Sequence, residues 1–456
     1  MDCLPGEIRD DVLTGLDGYL FLFGGTHRQM TFMTGEDKPS DASIENFFDN
    51  LAKRKNFCDA RGIAYIHVVF PPKPLIMKEM IAQPLQSKVE GLFQNHYAAS
   101  IKYNLPDYLI YPYASLIELK SQKSIFRKFD THNTDSGYLV VAQQILKKLD
   151  ANYDANQFFY EKTVELSGDL ARMLGLEITE SVQILTPIIP PLLFENRSAL
   201  KGNTNHIRII YNPLAISDRR LLVFGDSFIF DTLKFLSPEF KDIICVRSDT
   251  FQEDMIDLCS PDVVISSNAE RYLAKVRSDN HGAPMIFANY GYDGYKPAQD
   301  FVDAFKAQFS RRYHREQYES WQTKITSSYF ELGDFGRCKL NNHIAIIDNN
   351  SFSFKATGND PYFISFCQKI MPGKKYILEL ELVSDVSSTA SVYFTVQESV
   401  LFSEARTVKS AVTIGNNKLH FKLDAPNLQP YIRIDPLSCM GNFNISNLSL
   451  TEIITT

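Results

Sequence analysis

The sequence predicts a mixed α/β protein, in which a parallel sheet flanked by helices is followed by an antiparallel, jelly-roll-like β-sandwich. Up to about residue 290, apolar strand-like runs alternate with helical patterns, as in parallel sheets with helices on both faces. After about Tyr318, short alternating runs lie between Asn, Gly and Ser clusters, a pattern typical of sandwiches. The predicted domains are therefore residues 1–322 and 323–456.

The first domain begins with a predicted helix and strand. Helical spacing relates the apolar residues Ile44, Phe47, Phe48, Leu51 and Cys58, and Gly62 is placed to end that helix. A buried strand is predicted directly afterwards, from Ile63 to Pro72. Further strands are predicted at LLVF (from Leu221), DIICV (from Asp242), DVVIS (from Asp262) and PMIFA (from Pro284), with helices at FIFDTLKFL and ERYLAKVRS.

The second domain is predicted to contain seven strands, each short and bounded by polar turns. Their sequences, in chain order, are HIAIID, FSFKAT, YILELELV, SVYFTVQ, KLHFKL, YIRIDPL and FNISNLSL.

Composition argues against several kinds of partner and site. A formal charge of −7 gives no electrostatic footprint for nucleic acid or an anionic membrane. The 7 cysteines include no Cys-x-x-Cys pair and the 9 histidines no His-x-x-x-His pair, so we expect reduced thiols, no metal site and no organic cofactor. Asp2 and Glu7 lie where a signal peptide carries Lys or Arg, and the apolar cluster 19–23 is too short to span a bilayer. We therefore expect a cytoplasmic protein, or a periplasmic one if a leader was removed.

The stretch LLVFGDSFIF places Ser227 just after an apolar strand and before a helical pattern. Ligands of open α/β sheets bind at the carboxyl ends of the strands, and Gly225 permits a sharp turn there. Ser227 is therefore a candidate nucleophile. Ser and Asp are also common helix caps, so this motif alone fits a cap equally well.

The segment DTHNTDSG supplies the base and the acid that a serine nucleophile needs. Asp130 and His132 are two residues apart, just before an amphipathic helix that reaches Leu149. In an extended loop such residues point the same way, so Asp130 can orient one ring nitrogen of His132 and leave the other for Ser227. Thr134 or Asp135 is predicted to cap the helix.

Four motifs in this order resemble the alginate O-acetyltransferase, SGNH-hydrolase-like family. They are GLDGYLFL (Gly15 to Leu22), VVFPPK (Val68 to Lys73), DTHNTDSG (Asp130 to Gly137) and LLVFGDSF (Leu221 to Phe228). The resemblance covers roughly residues 10 to 300. It implies an SGNH-like sheet and a Ser–His–Asp triad that moves acetyl groups onto polysaccharide hydroxyls, here Ser227, His132 and Asp130.

Two positions depart from the family pattern. Asn133 replaces a Trp directly after the motif histidine, and Tyr19 replaces a Trp in the first motif. Asn133 predicts a different acceptor or a differently shaped site, so alginate itself is not carried over to this chain. A cytoplasmic precursor, or a nucleotide- or lipid-linked sugar, is the expected acceptor.

The oxyanion donors expected from the sequence are the backbone amides of Ser227 and Phe228. Asn268 is the nearest match to the SGNH motif asparagine and is a candidate side-chain donor, although the sequence around it favours a turn former. Arg247 and Arg271 are further candidates for contacting the substrate. The run Tyr431 to Leu450 resembles the closing strands of carbohydrate-binding sandwiches, in which aromatic faces stack on sugar rings. Its domain offers Tyr362, Phe363, Tyr393 and Phe402.

The sequence thus predicts an O-acetyltransferase that uses an acetyl-serine to modify a hydroxyl of a bacterial surface polysaccharide or its precursor. The expected partners are a carbohydrate acceptor, an acetyl donor and a polysaccharide-assembly machinery. Two alternatives stay open: a carbohydrate acetylesterase of the same fold, and a non-catalytic carbohydrate-binding scaffold. Transferase and esterase share every catalytic residue and differ in how well the acceptor site excludes water.

Overall fold

The computed structural model describes residues 4–282 except 101 and 201, residue 285, and residues 298–309, 326–331, 338–348, 351–367, 370–398 and 401–453. The chain divides into two units. One comprises Met1–Asn152, Glu161–Leu185 and Pro191–Arg311, and the other Tyr153–Tyr160, Thr186–Pro190 and Arg312–Thr456.

Two short segments are assigned differently from the sequence prediction, which placed all of residues 1–322 in one domain. Residues 153–160 and 186–190 belong to the second unit. There the side chain of Gln157 donates a hydrogen bond to the carbonyl of Ala411 at 3.0 Å, and the rings of Phe158 and His420 lie 5.8 Å apart. Such long-range contacts have no local sequence pattern. The predicted boundary at residue 322 lies outside the described residues.

The first unit contains twelve described strands, of which two continue into the second unit. The strands are β1 (Ile8–Arg9), β2 (Val12–Thr14), β3 (Leu20–Leu22), β4 (Ala64–Phe70), β5 (Leu109–Ile110), β6 (Phe159–Ser167), β7 (Thr179–Pro187), β8 (Leu192–Glu195), β9 (Ile207–Tyr211), β10 (Ser217–Gly225), β11 (Phe240–Arg247) and β12 (Val263–Ala269). The α-helices are α1 (Gln29–Met33), α2 (Asp41–Asp59), α3 (Lys73–Ile76), α4 (Leu85–Lys88), α5 (Tyr113–Lys120), α6 (Asp135–Lys148), α7 (Asp169–Met173), α8 (Ser227–Leu236), α9 (Glu253–Cys259) and α10 (Gln299–Phe309).

A seven-stranded sheet forms the centre of this unit, in the order β5-β4-β12-β10-β11-β9-β8. Neighbours from β5 to β11 are parallel, whereas β9 and β8 are joined antiparallel to that edge. The strands predicted at Ile63, Leu221, Asp242 and Asp262 are therefore present and parallel. The antiparallel edge formed by β9 and β8 was not predicted from the sequence. The predicted strand PMIFA lies outside the described residues apart from Met285. Two smaller sheets pair β1-β2-β3 and β6-β7.

Helices cover both faces of the large sheet, as predicted. Adjacent residues of a strand face opposite sides, and this separates Val69 from Phe70 on β4. Phe47 of α2 belongs to the apolar cluster around Val69, while the ring of Phe228 on α8 lies 5.6 Å from that of Phe70.

The helix predicted at ERYLAKVRS is wrong, because only a 3₁₀ turn forms there, over Glu270–Ala274. Beyond the turn, α2 holds the chain by its backbone. Asn46 donates to the carbonyl of Val276 at 3.0 Å, and Ser43 accepts from the amide of Val276 at 2.8 Å. These side-chain contacts satisfy backbone groups that a helix would have used.

The second unit is an antiparallel sandwich. Its strands are β13 (Thr326–Glu331), β14 (Lys339–Leu340), β15 (Ile344–Asp348), β16 (Ser353–Ala356), β17 (Phe363–Phe366), β18 (Lys375–Ser384), β19 (Ser388–Val396), β20 (Thr407–Val412), β21 (Gly415–Leu423), β22 (Leu428–Asp435) and β23 (Gly441–Ile453). One sheet has the order β15-β16-β23-β18-β21 with β13 also on β23, and the other β14-β17-β22-β19-β20. Leu378 and Leu450 of the first share a buried cluster with Val392 and Ile432 of the second.

All seven predicted sandwich strands are present, and the prediction missed β13, β14, β17 and β20. Two further observations bear on the sequence expectations. The six cysteines within the described residues are unpaired. No helix in the described ranges combines the length and apolar character needed to cross a membrane.

Candidate active site

Ser227 is the first residue of α8 and directly follows β10. The helix cap is Asp226, whose Oδ1 accepts a hydrogen bond from the amide of Phe228 at 2.9 Å. Its Oδ2 accepts from the amide of Ala269 at 2.7 Å and so ties the turn to the end of β12. The alternative role of Ser227 as the helix cap is therefore wrong, and its hydroxyl is available for another partner.

Gly225 is needed before this turn for a reason that the sequence did not show. Its φ angle is not positive, so the sharp-turn argument does not apply. A Cβ at this position would instead lie 2.2 Å from Oγ of Ser267 on β12. Glycine thus allows β10 and β12 to approach closely just before the nucleophile.

The structure brings Ser227, His132 and Asp130 together. Nε2 of His132 lies 2.9 Å from Oγ of Ser227, and Nδ1 of His132 lies 2.7 Å from Oδ1 of Asp130. The same carboxylate oxygen accepts from the backbone amide of His132 at 2.9 Å. Because Asp130 is 2% exposed, this carboxylate depends on protein donors.

Arg127 and Asp169 complete the hydrogen bonding of Asp130. Nη2 of Arg127 lies 2.9 Å from Oδ1, and the backbone amide of Asp169 donates to Oδ2 at 3.0 Å. Gly168 permits this last contact, since a Cβ there would lie 1.8 Å from the carbonyl oxygen of Phe129. The acid of the site is thereby held by Arg127 of its own loop and by the first residue of α7.

Asp169 also holds Thr131, the residue between the acid and the base. Its Oδ1 accepts from the Thr131 amide at 2.8 Å, and its Oδ2 accepts from the Thr131 hydroxyl at 2.5 Å. Oδ2 of Asp169 is 3.6 Å from Nδ1 of His132. A second carboxylate therefore faces the imidazole on the Asp130 side.

Lys73 connects three of the four sequence motifs. Its buried ammonium donates to the carbonyls of Leu20 at 2.6 Å, Lys128 at 2.9 Å and Asp130 at 3.0 Å. Burial lowers the pKa of Lys73 to about 7, against the opposing pull of nearby carboxylates led by Glu180. The side chain that follows β4 thus fixes the backbone of the acid.

The pKa values of the acid and the base move apart. Burial alone would lower the pKa of His132, but the hydrogen bond to Asp130 and the charges of Asp130, Asp169 and Asp231 outweigh it and raise the pKa. Burial alone would raise the pKa of Asp130, and the hydrogen bond to His132 together with Arg127 lowers it instead. Asp130 is therefore an anion that stabilises the protonated imidazole.

Two of the predicted oxyanion donors are already engaged. The Phe228 amide donates to Asp226, so its predicted role is wrong in this arrangement. Asn268 donates to the carbonyl of Ala269 at 3.0 Å, and its Oδ1 lies 3.0 Å from Nε2 of the buried His67. Its carbonyl oxygen and one of its amide hydrogens are therefore engaged within the protein. Ser227 keeps a first-turn amide, which has no acceptor inside a helix.

The two predicted arginines have different surroundings. Arg247 lies opposite Gly225 in register at the end of β11, and its backbone bonds with residues 205 and 206. It lines neither cavity described below. The guanidinium carbon of Arg271, in contrast, lies 5.4 Å from the ring centre of Phe228, whose ring is 5.0 Å from that of His132.

The structure locates three residues of the loop after His132 that the sequence singled out. Asn133 is buried, and its Nδ2 donates to the carbonyl of Ile125 at 3.4 Å, so a differently shaped site at this position stays a prediction. Thr134 is the N-cap residue but bonds the carbonyl of Ser124 at 2.6 Å instead of capping. Asp135 accepts from Lys234 of α8 at 2.6 Å, which joins the helices of the base and the nucleophile.

Two small cavities lie near the site, and the enclosed space in each is about 10 Å3, about that of one water molecule. They share Gln29, Pro72 and Arg271. The first borders the site and is lined further by Leu22, Lys73, Pro74, Thr131, Phe228 and Ala269, and the second by His27, Phe32, Met33, Leu92 and Glu270.

The ligand atoms of Asp130, His132 and Asp169 lie within 4.8 Å of one another, close enough to hold a metal ion. These atoms already form hydrogen bonds: Nδ1 of His132 with Asp130, and the carboxylates with Thr131, Arg127 and backbone amides. This hydrogen bonding fits an acid–base relay. That the site works without a metal ion stays a prediction.

Sequence reasoning missed Lys73, Arg127 and Asp169 as parts of the site. Lys73 stands at the end of the quoted motif VVFPPK, directly after a buried strand, and this position could have identified it. Asp169 lies in an unremarkable segment that reaches the site only by tertiary folding.

Comparison of the sequence with models of known protein families and with curated proteins gives no match. Solved structures similar to this chain include a DHHW family protein from Eubacterium siraeum (12% identity, 59% of this chain and 94% of that chain, TM-score 0.43). The O-acetyltransferase domain of Pseudomonas putida AlgJ is 17% identical over 61% of this chain and 97% of its own, with a TM-score of 0.38. Pseudomonas aeruginosa AlgX is 12% identical over 97% of this chain and 94% of its own, with a TM-score of 0.39.

Proposed function

We propose that the chain is a serine O-acetyltransferase that carries an acetyl group on Ser227 and transfers it to a hydroxyl of a bacterial surface polysaccharide or its precursor. The observation that carries the proposal is the Ser227–His132–Asp130 geometry, with contacts of 2.9 and 2.7 Å. A histidine within hydrogen-bond reach of a serine hydroxyl, and itself oriented by a buried carboxylate, is the arrangement that activates serine as a nucleophile.

The first half of the reaction loads the serine. Nε2 of His132 takes the hydroxyl proton of Ser227 as Oγ attacks the carbonyl carbon of an acetyl ester. The bond to the leaving alcohol then breaks, and the alcohol oxygen takes that proton from His132. Asp130 holds the Nδ1 proton of the imidazole throughout and stabilises its transient positive charge.

The second half transfers the acetyl group. His132 takes the proton of an acceptor hydroxyl, whose oxygen attacks the acetyl carbon, and Ser227 leaves with the proton returned by His132. The first-turn amide of Ser227 is the donor that we assign to the developing oxyanion, since the Phe228 amide is bonded to Asp226. Water in place of the acceptor gives ester hydrolysis by the same residues.

A Ser227→Ala variant tests the nucleophile. We expect hydrolysis of p-nitrophenyl acetate to fall by roughly 10³-fold or more, as removal of a triad serine does elsewhere. Ser121→Ala, an exposed serine at the end of α5, is the matched control and should keep the wild-type rate. Equal nitrophenol release by wild type and Ser227→Ala would sink the proposal.

Transfer is separated from hydrolysis by adding sugars. The wild type is incubated with an acetyl ester and an oligosaccharide, and acetylated sugar is measured by mass spectrometry. We expect acetylated sugar to form with the wild type and not with Ser227→Ala, and an acetyl group to appear on the peptide that carries Ser227. Free acetate as the sole product with every sugar would assign the chain as an acetylesterase.

For the sandwich we propose carbohydrate binding on the outer face of the sheet that contains β17 and β22. Phe366 and Tyr431 pair in register there, are each about half exposed, and have ring centres 4.9 Å apart. Of the residues expected from the sequence, Phe363 is buried, whereas Tyr362 and Tyr393 flank the guanidinium of Arg433 at 3.8 and 4.9 Å. Exposed aromatic faces beside fixed polar groups suit a pyranose.

Replacing Tyr431 with Ala tests this face. We expect the variant to bind an oligosaccharide that the wild type retains at least ten times more weakly, a loss of about 1.4 kcal/mol. Tyr160→Ala, a similarly exposed tyrosine outside this sheet, serves as the control. Unchanged affinity of Tyr431→Ala in calorimetric titration would place sugar binding elsewhere.

A further inference from the structure

The acid loop, residues 127–132, carries both Asp130 and His132 and has little hydrogen bonding of its own. Its internal backbone bond runs from the amide of Arg127 to the carbonyl of His132 at 3.3 Å, and the amide of His132 donates to the Asp130 carboxylate. An irregular loop keeps one shape only where other segments satisfy its backbone groups. The position of Asp130 therefore depends on the segments that hold this loop from outside.

A single stretch of chain, residues 169–180, holds the acid loop and is termed the clamp segment. It begins with α7 and ends in the first residues of β7. Its last residue, Glu180, accepts hydrogen bonds from the amides of Lys128 at 2.7 Å and of Phe129 at 3.0 Å, one with each carboxylate oxygen. A carboxylate is a stronger acceptor than a neutral group, so these two amides are firmly held directly before Asp130.

The rest of the clamp segment binds the other residues of the acid loop. The amide of Ala171 donates to the carbonyl of Phe129 at 3.2 Å. Asp169 donates its amide to Asp130 at 3.0 Å and accepts from the amide of Thr131 at 2.8 Å. Every residue between the two ends of the acid loop is thus bonded to the clamp segment.

Apolar packing fixes the clamp segment itself. Three of its side chains share a buried cluster with side chains of β2 and β3, and Phe129 of the acid loop packs against the same cluster. The cluster contains Leu170, Ala171 and Leu174 from the clamp segment, with Val12 and Leu20 from the strands. The guanidinium of Arg9 also donates to the carbonyl of Leu174 at 3.3 Å. The clamp segment therefore presents its donors and acceptors to the acid loop from a fixed place.

Glu180 also acts on the acid loop through Lys73. The buried Lys73 ammonium donates to the carbonyls of Lys128 and Asp130, at 2.9 and 3.0 Å. Burial lowers the pKa of Lys73, and the charge of Glu180 is the largest of those that oppose this effect. Glu180 therefore binds two amides of the loop directly and stabilises the charged donor that binds two of its carbonyls.

We propose that Glu180 is a positioning residue, which fixes the Asp130 carboxylate where it can orient the imidazole of His132. This inference rests on the proposed function. Glu180 bonds to backbone amides of the acid loop, so it acts on the reaction through Asp130. The carboxylate sets the tautomer and the direction of the imidazole, and a small displacement of Asp130 should slow both half-reactions. The clamp segment thus serves the site although it lies outside the four sequence motifs.

The substitution Glu180→Gln tests this role. The carboxamide has nearly the same shape, but it removes the charge and turns an N–H donor towards a backbone N–H donor. We expect kcat for p-nitrophenyl acetate to fall about tenfold or more with KM roughly unchanged, because Asp130 shifts while no contact with the ester is lost. Glu165→Gln is the matched control and should keep the wild-type values. This exposed carboxylate on β6 accepts from the hydroxyl of Thr179 at 3.1 Å.

The pH dependence of kcat/KM gives a readout that a loss of stability does not move. Burial lowers the pKa of His132, and the bond to Asp130 leads the effects that raise it, ahead of the charges of Asp130, Asp169 and Asp231. A displaced Asp130 raises this pKa less. We therefore expect the rise of kcat/KM with pH to move to lower pH in Glu180→Gln. Glu180→Asp keeps the charge and should change both kcat and the pH profile less.

A double substitution shows whether Glu180 acts through Asp130. In Asp130→Asn the carboxylate that Glu180 positions is absent, so adding Glu180→Gln should lower kcat little further. An equal loss of kcat in both backgrounds would overturn the inference. So would a folded Glu180→Gln that has a lower melting temperature but the kcat and pH profile of the wild type. If Glu180→Gln does not fold, Glu180→Asp in the same two backgrounds decides between these outcomes.

The function on which this inference rests is tested separately by Ser227→Ala. If Ser227→Ala abolishes ester hydrolysis while Glu180→Gln keeps the wild-type kcat and pH profile, the positioning role is wrong and the acetyl-serine stands. If Ser227→Ala hydrolyses the ester at the wild-type rate, the proposed function fails, whatever the effect of Glu180→Gln.

Discussion

The two sides of the candidate site differ in how their polar groups are paired. On the base side, the Asp130 carboxylate accepts from Arg127 and from two backbone amides, and Lys73 donates to three carbonyls. On the substrate side, Arg271 and Gln29 form no hydrogen bond within the described residues. Within the described residues, the chain itself completes the hydrogen bonding on the base side and leaves it open on the other side.

This difference separates two kinds of function. A fully paired base side fixes the imidazole before substrate arrives, which is the condition for effective general base catalysis and charge stabilisation. An unpaired substrate side gains its hydrogen bonds only with the right ligand, which is how polar sites achieve selectivity. Changes on the base side should therefore alter kcat and its pH dependence. Changes on the substrate side should alter the preference of the enzyme for one substrate over another.

The largest effect is expected from Asp130→Asn. The carboxylate orients the imidazole and stabilises its protonated form, and its replacement by an amide in a triad lowers kcat by about 10⁴-fold. The rate should also change its pH dependence. In the proposed mechanism neutral His132 is the active base, so we expect the wild-type rate to rise with pH through a pKa above the ordinary 6.5. In Asp130→Asn burial persists without the carboxylate, and the rise should move to lower pH.

Measurement of ester hydrolysis against pH checks both expectations. Asp154→Asn, which changes the acid that caps a short 3₁₀ turn of the second unit, is the control. A pH profile of Asp130→Asn that coincides with that of the wild type would mean that Asp130 does not set the pKa of His132.

Lys73→Met should have the next largest effect. The change leaves the carbonyls of Leu20, Lys128 and Asp130 without their donor, and each orphaned buried acceptor costs about 1–3 kcal/mol, partly offset by no longer burying an ammonium. The backbone of Asp130 is then free to shift, and a misplacement of about 1 Å can lower kcat by about 10²-fold. Thermal unfolding and kcat are measured together, with the exposed Lys88→Met as control.

Two results would separate structural and positioning roles for Lys73. A lower melting temperature with wild-type kcat at a temperature where the variant is folded would make Lys73 a stabilising residue only. A lower kcat with an unchanged KM for p-nitrophenyl acetate, measured where the variant is folded, would place its effect on the base side. The second result is the one that the three carbonyl contacts predict.

The sequence predicted the elements of the site better than its contacts. Local patterns were sufficient for β4, β10, β11 and β12 because each is a continuous apolar run. The spacing of Asp130 and His132 was sufficient to predict the acid and the base. Both residues lie in one loop, so they reach Ser227 together once the fold brings that loop to the end of β10. Local sequence thus predicts which side chains lie at a strand end or within a short motif.

Contacts between distant segments were not predictable in this way. The Phe228 amide looked free because the cap role was open between Ser227 and Asp226, and only the φ and ψ angles of the turn decide it. Asn268 looked like a donor to substrate because its bond with His67 crosses from β12 to β4. Asp169 reaches the site through packing of Gly168 on Phe129, a contact without any local sequence pattern.

The smallest effect is expected from Asp169→Asn, which tests how the base side uses charge. Oδ2 of Asp169 lies 3.6 Å from Nδ1 of His132, and its negative charge contributes to the raised pKa of the imidazole. Asparagine keeps an acceptor for the Thr131 amide, and the backbone donor to Asp130 is unchanged. The substitution thus removes the charge while keeping most of the hydrogen bonds.

We therefore expect Asp169→Asn to move the pH dependence of kcat/KM to lower pH, in the same direction as Asp130→Asn, with only a few-fold change in kcat at high pH. The carboxylate is about one-third exposed, so salt should screen its charge and bring the wild-type profile closer to that of the variant. A gap between the two profiles that is independent of salt would instead show that Asp169 acts through the position of Thr131. The difference between the pH profiles of the wild type and Asp130→Asn should persist in high salt. Asp130 is buried and bonded to the imidazole, so salt screens its charge much less.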